Sequence, residues 1–333
     1  MDLVFKPKFG LTLLYGVTGM VLYTWVCWAV VKNRYNLKSS FYKMFVVGYV
    51  MNMMTYINSF ISLRVPQNTK INDSFASFFL EHDAHHPETK FPLYVFHTLH
   101  YQFAYSQYIY NCLLCLNRFT AIFKPLTSEM WWNKWFVHLA LAMFLSPFLC
   151  TVFILVNRSY YRYNSTGDYF CVDSTFERWK IYAILTPILC IITAANIVCN
   201  TSSYLKMKKI RREGINVIDK HLLQMTFCVF FIDMFLTILS IFNAIITIWN
   251  PFPDSPWVAE WVLQLTPFAS DVLTLSPPIL LLYFSKTVRR KCVEMIPFLR
   301  KYSKHRFFVN SRSVAYVLPF EYNSQEELNN NNH

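Results

Sequence analysis

The sequence predicts an all-α protein: a bundle of seven transmembrane helices with the N-terminus outside and the C-terminus cytoplasmic. Three observations lead there. The 333 residues are 54% hydrophobic, 18% aromatic and only 15% charged, whereas an ordinary soluble domain carries roughly 25% charged residues. Seven apolar segments each approach or exceed the roughly 20 residues that cross a bilayer as a helix. The cations are divided unevenly between the two sets of connecting segments, as the positive-inside rule requires.

The segments fall at Gly10–Val31, Met44–Leu63, Leu93–Leu116, Trp135–Val156, Ile181–Leu205, Leu222–Ile248 and Trp261–Phe284. The first is too long for the apolar core of a secretory signal and no clear cleavage site follows it, so it reads as a retained span. With the N-terminus outside, 22 of the 31 Lys and Arg residues lie in inner segments and nine in outer ones. Asn72-Asp73-Ser74 and Asn164-Ser165-Thr166 are glycosylation sequons in expected outer loops, with Asn72 and Asn164 as acceptors. Trp131, Trp132 and Trp135 gather at one expected interface and Trp249, Trp257 and Trp261 at the other, as aromatic belts do.

The same reading divides the chain into an extracellular N-terminus (1–9), the seven-span domain (10–284), a basic amphipathic juxtamembrane segment (285–306) and a disordered cytoplasmic tail (307–333). In the juxtamembrane segment Val288, Cys292, Met295 and Leu299 recur at helical spacing among Lys286, Arg289, Arg290 and Lys291. This pattern suits a helix lying on an anionic leaflet, with Cys292 as a lipidation candidate. No internal repeat of the transporter kind is present.

Several chemistries are excluded by residue usage. The six glycines form no phosphate-cradling loop. Seven of the nine cysteines sit in apolar runs, where a cysteine behaves as a small hydrophobe, so neither a disulfide framework nor a zinc site is expected. Serine-hydrolase and zincin signatures are absent. The chain is not expected to be an enzyme, to hold a cofactor or metal, or to bind nucleic acid, despite a formal net charge of +12.

Polar groups inside the spans carry the functional expectation. His100, Gln107, Asn111 and Arg118 are 7, 4 and 7 residues apart, which at about 100° per residue sets them on one face of the third span. Such a face turns to the bundle interior or to a water-filled cavity, or it bonds neighbouring helices. His100 and Gln107, in the outer half, are candidates to line a ligand cavity. Asp233 and Asp271 each lie about 10 residues into their spans, roughly 15 Å along the helix and therefore near the midplane. A carboxylate there costs about 2.5–3.5 kcal/mol on insertion scales. Asp271 is accordingly a ligand-binding candidate, and Asp233, with Asn111, a polar switch.

At the inner end of the third span stands Asn117-Arg118-Phe119-Thr120-Ala121-Ile122-Phe123-Lys124-Pro125-Leu126. It resembles the Asp-Arg-Tyr-x-Ala-Ile-x-x-Pro-Leu signature of rhodopsin-like G-protein-coupled receptors. With the tryptophans that follow, it is most similar to nematode serpentine chemoreceptors of class gamma or a near relative such as class V. The chain departs from the rhodopsin pattern at Asn117, in lacking an outer third-span cysteine to pair with Cys171, and at Ser276-Pro277-Pro278. The resemblance implies a plasma-membrane chemosensory receptor. A small extracellular ligand, volatile or apolar, would shift the bundle and activate a heterotrimeric G protein through the inner loops. Arg118 would then be a coupling residue, with Asp219 as its resting partner; by residue type alone it is equally a positive-inside anchor. A transporter or channel is the alternative, because midplane acids also line ion pathways. The remotest alternative is a membrane di-iron oxidoreductase, suggested by His82-Asp83-Ala84-His85-His86, but the other histidines supply too few ligands.

Overall fold

The computed structural model describes residues 7–85, 91–165, 167–212, 220–249 and 256–296. The chain divides into two units, 1–289 and 290–333, and the bundle described below belongs to the first. Its long helices are α1 (Pro7–Lys32), α2 (Ser40–Ser59), α5 (Leu93–Phe123), α6 (Pro125–Leu145), α8 (Arg178–Arg212), α9 (Lys220–Trp249) and α10 (Pro256–Phe284). The shorter pieces are α3 (Val65–Asn68), α4 (Ala76–Glu81), α7 (Phe148–Leu155) and α11 (Lys286–Glu294).

Among the described residues six helical stretches are long and apolar enough to cross a membrane: Phe9–Lys32, Ser40–Asn68, Thr127–Leu155, Arg178–Ile210, Gln224–Trp249 and Leu265–Phe284. The expected third span is the exception by composition, not by length, since α5 runs for 31 residues. Its buried residues include Gln102, Ser106, Gln107, Asn111, Asn117 and Arg118. They lower its mean hydropathy but face protein, because α5 packs against α2, α6, α7, α8 and α9. A helix enclosed on so many sides has little surface left for lipid, and its polar groups find partners in neighbouring helices.

The breaks follow from local chemistry. Lys124, φ −137°, precedes Pro125, and a residue before proline is pushed out of the helical region; α5 ends and α6 starts there. Pro147 separates α6 from α7. It has no N–H to return to the Met143 carbonyl, and Ser106 Oγ donates to that oxygen instead (3.1 Å). Gln102 Nε2 donates to the adjacent Phe144 carbonyl at 2.5 Å. The kink is therefore stitched to α5 by two α5 side chains. Between α2 and α3 a π-helical turn, Phe60–Arg64, inserts one residue and rotates Arg64 relative to a regular helix.

Two sequence expectations are corrected here. The protein is not purely helical: β1 (Ser159–Asn164) and β2 (Tyr169–Ser174) form an antiparallel hairpin, with Tyr161 opposite Val172 and Asn164 opposite Tyr169. Asp168 turns the chain at φ 50°. The hairpin buries Tyr161, Phe170 and Val172 against Ala76, Phe79 and Leu93. Aromatic rings dominate this cap, so it is a second small core over one end of the bundle. Segment 117–134, expected as an inner loop, is instead the continuation of α5 and the start of α6. Trp132 is accordingly 2% exposed and donates to Thr120 Oγ1 at 2.7 Å. It is not an interface residue, whereas Trp131, Trp135, Trp249, Trp257 and Trp261 are exposed.

The α2–α5 crossing is close because Gly48 has no side chain. A Cβ there would overlap the hydroxyl end of the Tyr110 ring, which is 2% exposed and has little room to move. Overpacking of this kind costs about 1–3 kcal/mol. Gly48→Ala is expected to lower the melting temperature of the purified chain, and Tyr110→Ala in the same molecule should recover part of the loss. Additive losses in the double variant would show that the two residues do not share that contact.

Candidate functional site

A cavity of about 160 Å³ opens among α2, α5, α8, α9 and α10 beneath the hairpin. A dry engineered cavity of about 150 Å³ holds benzene, so this volume matches a molecule of about one ring. Helix α5 supplies the central wall with His97, His100, Tyr101, Ala104, Gln107 and Tyr108. This is the i, i+3, i+4, i+7 spacing of a single helical face. Tyr182, Leu185 and Leu189 of α8 and Leu236, Ser240 and Asn243 of α9 stand opposite, with Ser270 on α10. Cys171 and Val172 of β2 form the roof beside Arg178.

The polar groups of the wall are held by second partners. His97 Nδ1 lies 3.0 Å from Ser159 Oγ of β1, which ties α5 to the hairpin. His100 meets the Tyr101 ring edge to face at 5.2 Å. Asn243 Nδ2 donates to Tyr182 Oη at 2.7 Å. Gln107 Nε2 donates to Asn52 Oδ1 (3.0 Å) and Thr274 Oγ1 (2.9 Å), so one cavity residue joins α2, α5 and α10. At the roof, Arg178 donates to the Val172 carbonyl at 2.9 Å and lies 3.6 Å from Asp173, which also pairs with Arg162 at 3.1 Å. The single cationic side chain among the lining residues is thus already matched by a carboxylate. An uncharged ligand with one or two hydrogen-bonding groups suits such a wall.

The expected polar face of α5 is placed as follows. His100 and Gln107 line the cavity. Asn111, one turn below Gln107, donates to Asp233 Oδ1 at 3.0 Å, and Asn196 of α8 donates to Asp233 Oδ2 at 3.4 Å. Asp233 is fully buried at the meeting of α5, α8 and α9. Asp271 is not among the cavity's lining residues. It pairs with Arg64 of the π-helical turn and accepts from Tyr15 of α1. Both members of the ion pair are buried, and Arg64 also donates to the Pro267 carbonyl at 2.9 Å. Sequence reading counted Arg64 as an outer-loop cation; only its place directly after the end of the second apolar segment could have signalled otherwise.

At the opposite end of the bundle, Arg118 lies over the Phe41 ring at 3.9 Å and is 6% exposed. Asp219, its expected partner, lies outside the described residues, as does His86. Asn117, in the place of the signature acid, donates to Ser40 Oγ at 2.8 Å. A residue that the sequence reading passed over joins them. Glu129 of α6 accepts from Ser39 Oγ (3.0 Å) and from the Ser40 backbone N–H (3.0 Å), capping the N-terminus of α2, where a negative charge is favoured.

The remaining candidates are peripheral. Asn72 is exposed, whereas the Asn164 side-chain nitrogen donates to Tyr169 Oη at 3.0 Å. His82 Nδ1 bonds its own helix at Phe78 O, 2.7 Å away. Among the described residues no cluster of three or more His, Cys, Asp or Glu side chains is arranged to hold a metal ion. Cys292, the lipidation candidate, lies on α11 and belongs to the second unit.

Comparison with known proteins bears on the whole chain. Residues 9–292 match the family model for Srg family chemoreceptors. The chain is also 25% identical over 278 residues to serpentine receptor class gamma-31 of Caenorhabditis elegans, covering 83% of this chain and 88% of that one. A helical bundle with membrane-spanning lengths, a cavity on its axis and a match of this extent agree with one another. The chain belongs to the Srg family of chemoreceptors.

Proposed function

We propose that this chemoreceptor is a plasma-membrane protein with the hairpin outside. In this reading it takes a small uncharged molecule into the cavity beneath the hairpin and signals to a heterotrimeric G protein at the Arg118 end. The observation that carries the reading is the connectivity of Gln107, which lines the cavity and bonds both α2 and α10. A ligand that contacts it bears on three helices at once and favours whichever arrangement of them it fits better. His100 and Gln107 are the proposed ligand contacts, while Asp271 supports the α2–α10 junction through Arg64. Arg118 and the basic stretch around 206–212 are the proposed coupling surface.

Cys171 provides the test. It is the described cysteine that lines the cavity, and its thiol hydrogen-bonds the Arg162 carbonyl of the partner strand at 3.4 Å. Cells carrying a G-protein reporter are exposed to a panel of small uncharged organic compounds, then to a membrane-impermeant thiol reagent from outside. The reagent is expected to abolish the response of the natural chain and to spare Cys171→Ser, while Arg118→Ala should silence the response at normal surface level. A response that survives modification of Cys171 would place the ligand elsewhere, and labelling confined to permeabilised cells would reverse the orientation.

A further inference from the structure

Gln107 is 3% exposed, and its neighbours fix which half of its amide faces the cavity. Nε2 uses both hydrogens, on Asn52 Oδ1 (3.0 Å) and Thr274 Oγ1 (2.9 Å). Thr274 Oγ1 gives its own hydrogen to the Ser270 carbonyl at 2.7 Å, so toward Gln107 it can only accept. Asn52 Nδ2 donates to Tyr23 Oη at 3.2 Å, which turns the Asn52 oxygen toward Gln107. The Gln107 amide cannot be reversed without losing both bonds. Its Oε1 is thus an acceptor that no described side chain serves. That oxygen is not enclosed by packing, and it opens on the cavity that Gln107 lines.

The floor around this oxygen is poor in hydrogens. Helix α5 runs away from the hairpin, and Gln107 lies ten residues beyond His97, about 15 Å deeper. At this depth the cavity is closed by Tyr108, Leu189, Leu236, Ser240 and Ser270. Ser240 gives its hydrogen to the Leu236 carbonyl at 2.9 Å. The Tyr108 hydroxyl is enclosed beside Thr237 and Ser240, so Tyr108 offers the cavity its ring. Tyr108, Leu189 and Leu236 belong to one buried apolar cluster. Ser270 is the side chain of the floor that has a hydrogen to give. The donors His100, Tyr101 and Tyr182 lie nearer the roof, where Arg162 and Arg178 share the single carboxylate of Asp173 and positive charge is in excess.

We infer that the ligand is a neutral alcohol or phenol of about one ring in size. Its hydroxyl donates to Gln107 Oε1 and accepts from Ser270 Oγ, and its hydrocarbon lies against Leu189 and Leu236. The inference rests on the reading of this cavity as the ligand site and adds the chemical class. A hydroxyl both donates and accepts, which is what this floor asks of it. A ketone, ester or ether has no hydrogen for Oε1. Turned toward the donors near the roof, it covers that oxygen with hydrocarbon. Desolvating a buried acceptor without replacing its hydrogen bond weakens binding by about tenfold. An ammonium group would supply hydrogens, but it would sit beneath a roof already in positive excess.

The test needs no G protein. Purified full-length receptor is melted with increasing cyclohexanol, cyclohexanone or cyclohexylamine, rings of similar size that differ in the polar group; the amine is a cation at neutral pH. A compound that binds the folded chain raises the melting temperature with its concentration, and that dependence gives an apparent affinity. Cyclohexanol is expected to bind about tenfold more tightly than cyclohexanone, and cyclohexylamine more weakly than either. Ala104→Leu, or the milder Ala104→Val if the first does not fold, fills the central wall and should remove the shifts. Thr274 is not among the lining residues. Thr274→Val frees the Gln107 amide to turn its nitrogen to the cavity and should narrow the ratio of alcohol to ketone affinity. Equal binding of alcohol and ketone, lost when the wall is filled, would overturn the hydroxyl assignment and leave the cavity as the ligand site. An amine that binds as well as the alcohol, or a ratio that Thr274→Val leaves unchanged, would also overturn the assignment. Shifts that survive the filled wall, or none with any compound, would overturn both readings.

Discussion

Arg64→Ala is expected to remove most of the receptor from the cell surface and to abolish a cooperative melting transition in detergent. The reason is the environment of its partner. The side chains of Arg64 and Asp271 are each 5% exposed, and Arg64 also stacks over Phe268 at 5.1 Å. Removing one member of a buried ion pair leaves the other charge uncompensated, at about 3–5 kcal/mol. Against a total stability of about 5–15 kcal/mol, that loss is enough to unfold a large fraction of the molecules. Asp271→Ala should be as damaging, because Arg64 would then be a buried cation held only by the Pro267 carbonyl and an aromatic face. Arg64→Met combined with Asp271→Leu removes both charges and should recover much of the surface level, since apolar replacement of a whole buried pair is often neutral. Surface labelling and melting curves of the three variants check this. A single variant with normal surface level and melting would show that the pair does not hold α2 to α10.

The ion pair also shows where the sequence is legible. Spans are written in composition, because a helix in lipid needs about 20 apolar residues in a row, and all seven expected segments coincide with helices. The polar stripe of α5 was readable from spacing alone, since helical periodicity sets which residues share a face. What each stripe residue meets was not readable. Gln107 finds Asn52 and Thr274, and Asn111 finds Asp233, and these are partners up to 167 residues distant in sequence. Arg64 was misplaced because a π-helical turn changes the register by one residue, a local event that no hydrophobic pattern announces. The hairpin was missed for a related reason. Its burial comes from a small aromatic core with α4 and the start of α5, and the alternation in β2, with Phe170, Val172 and Ser174 buried, covers too few residues to stand out in the sequence. The breaks at Pro125 and Pro147 were not part of that reading: the expected segment Trp135–Val156 runs across Pro147, and segment 117–134 was expected as a loop, whereas the chain passes from α5 into α6 with only Lys124 between them.

Glu129→Gln is expected to raise signalling in the absence of ligand, provided the Arg118 end of the bundle is the coupling surface. The carboxylate of Glu129 accepts from Ser39 Oγ, the Ser40 N–H and Ser40 Oγ (3.2 Å). Ser39 Oγ in turn receives the Phe41 N–H at 3.4 Å, and the Phe41 ring covers the Arg118 guanidinium. One charge on α6 thereby fixes the first turn of α2, and that turn covers the arginine on α5. Hydrogen bonds to a charged acceptor contribute about 1.5–3 kcal/mol, and its place at a helix N-terminus adds a few tenths more. A loss of about 2 kcal/mol corresponds to a factor of roughly 30 in an equilibrium constant. If the uncovered form is about 1% of the resting receptor, within the usual range for a minor state, it rises to roughly a quarter. Basal reporter output should increase accordingly, and Glu129→Ala should raise it further by removing the remaining acceptor. Adding Arg118→Ala to either variant should return the output to background, because the group being uncovered is then gone. The measurement is basal activity normalised to surface receptor. An unchanged baseline in Glu129→Gln and Glu129→Ala at normal surface level would mean that the cap holds α2 in place without restraining Arg118, and the switch would have to be sought in another contact of the α5 stripe.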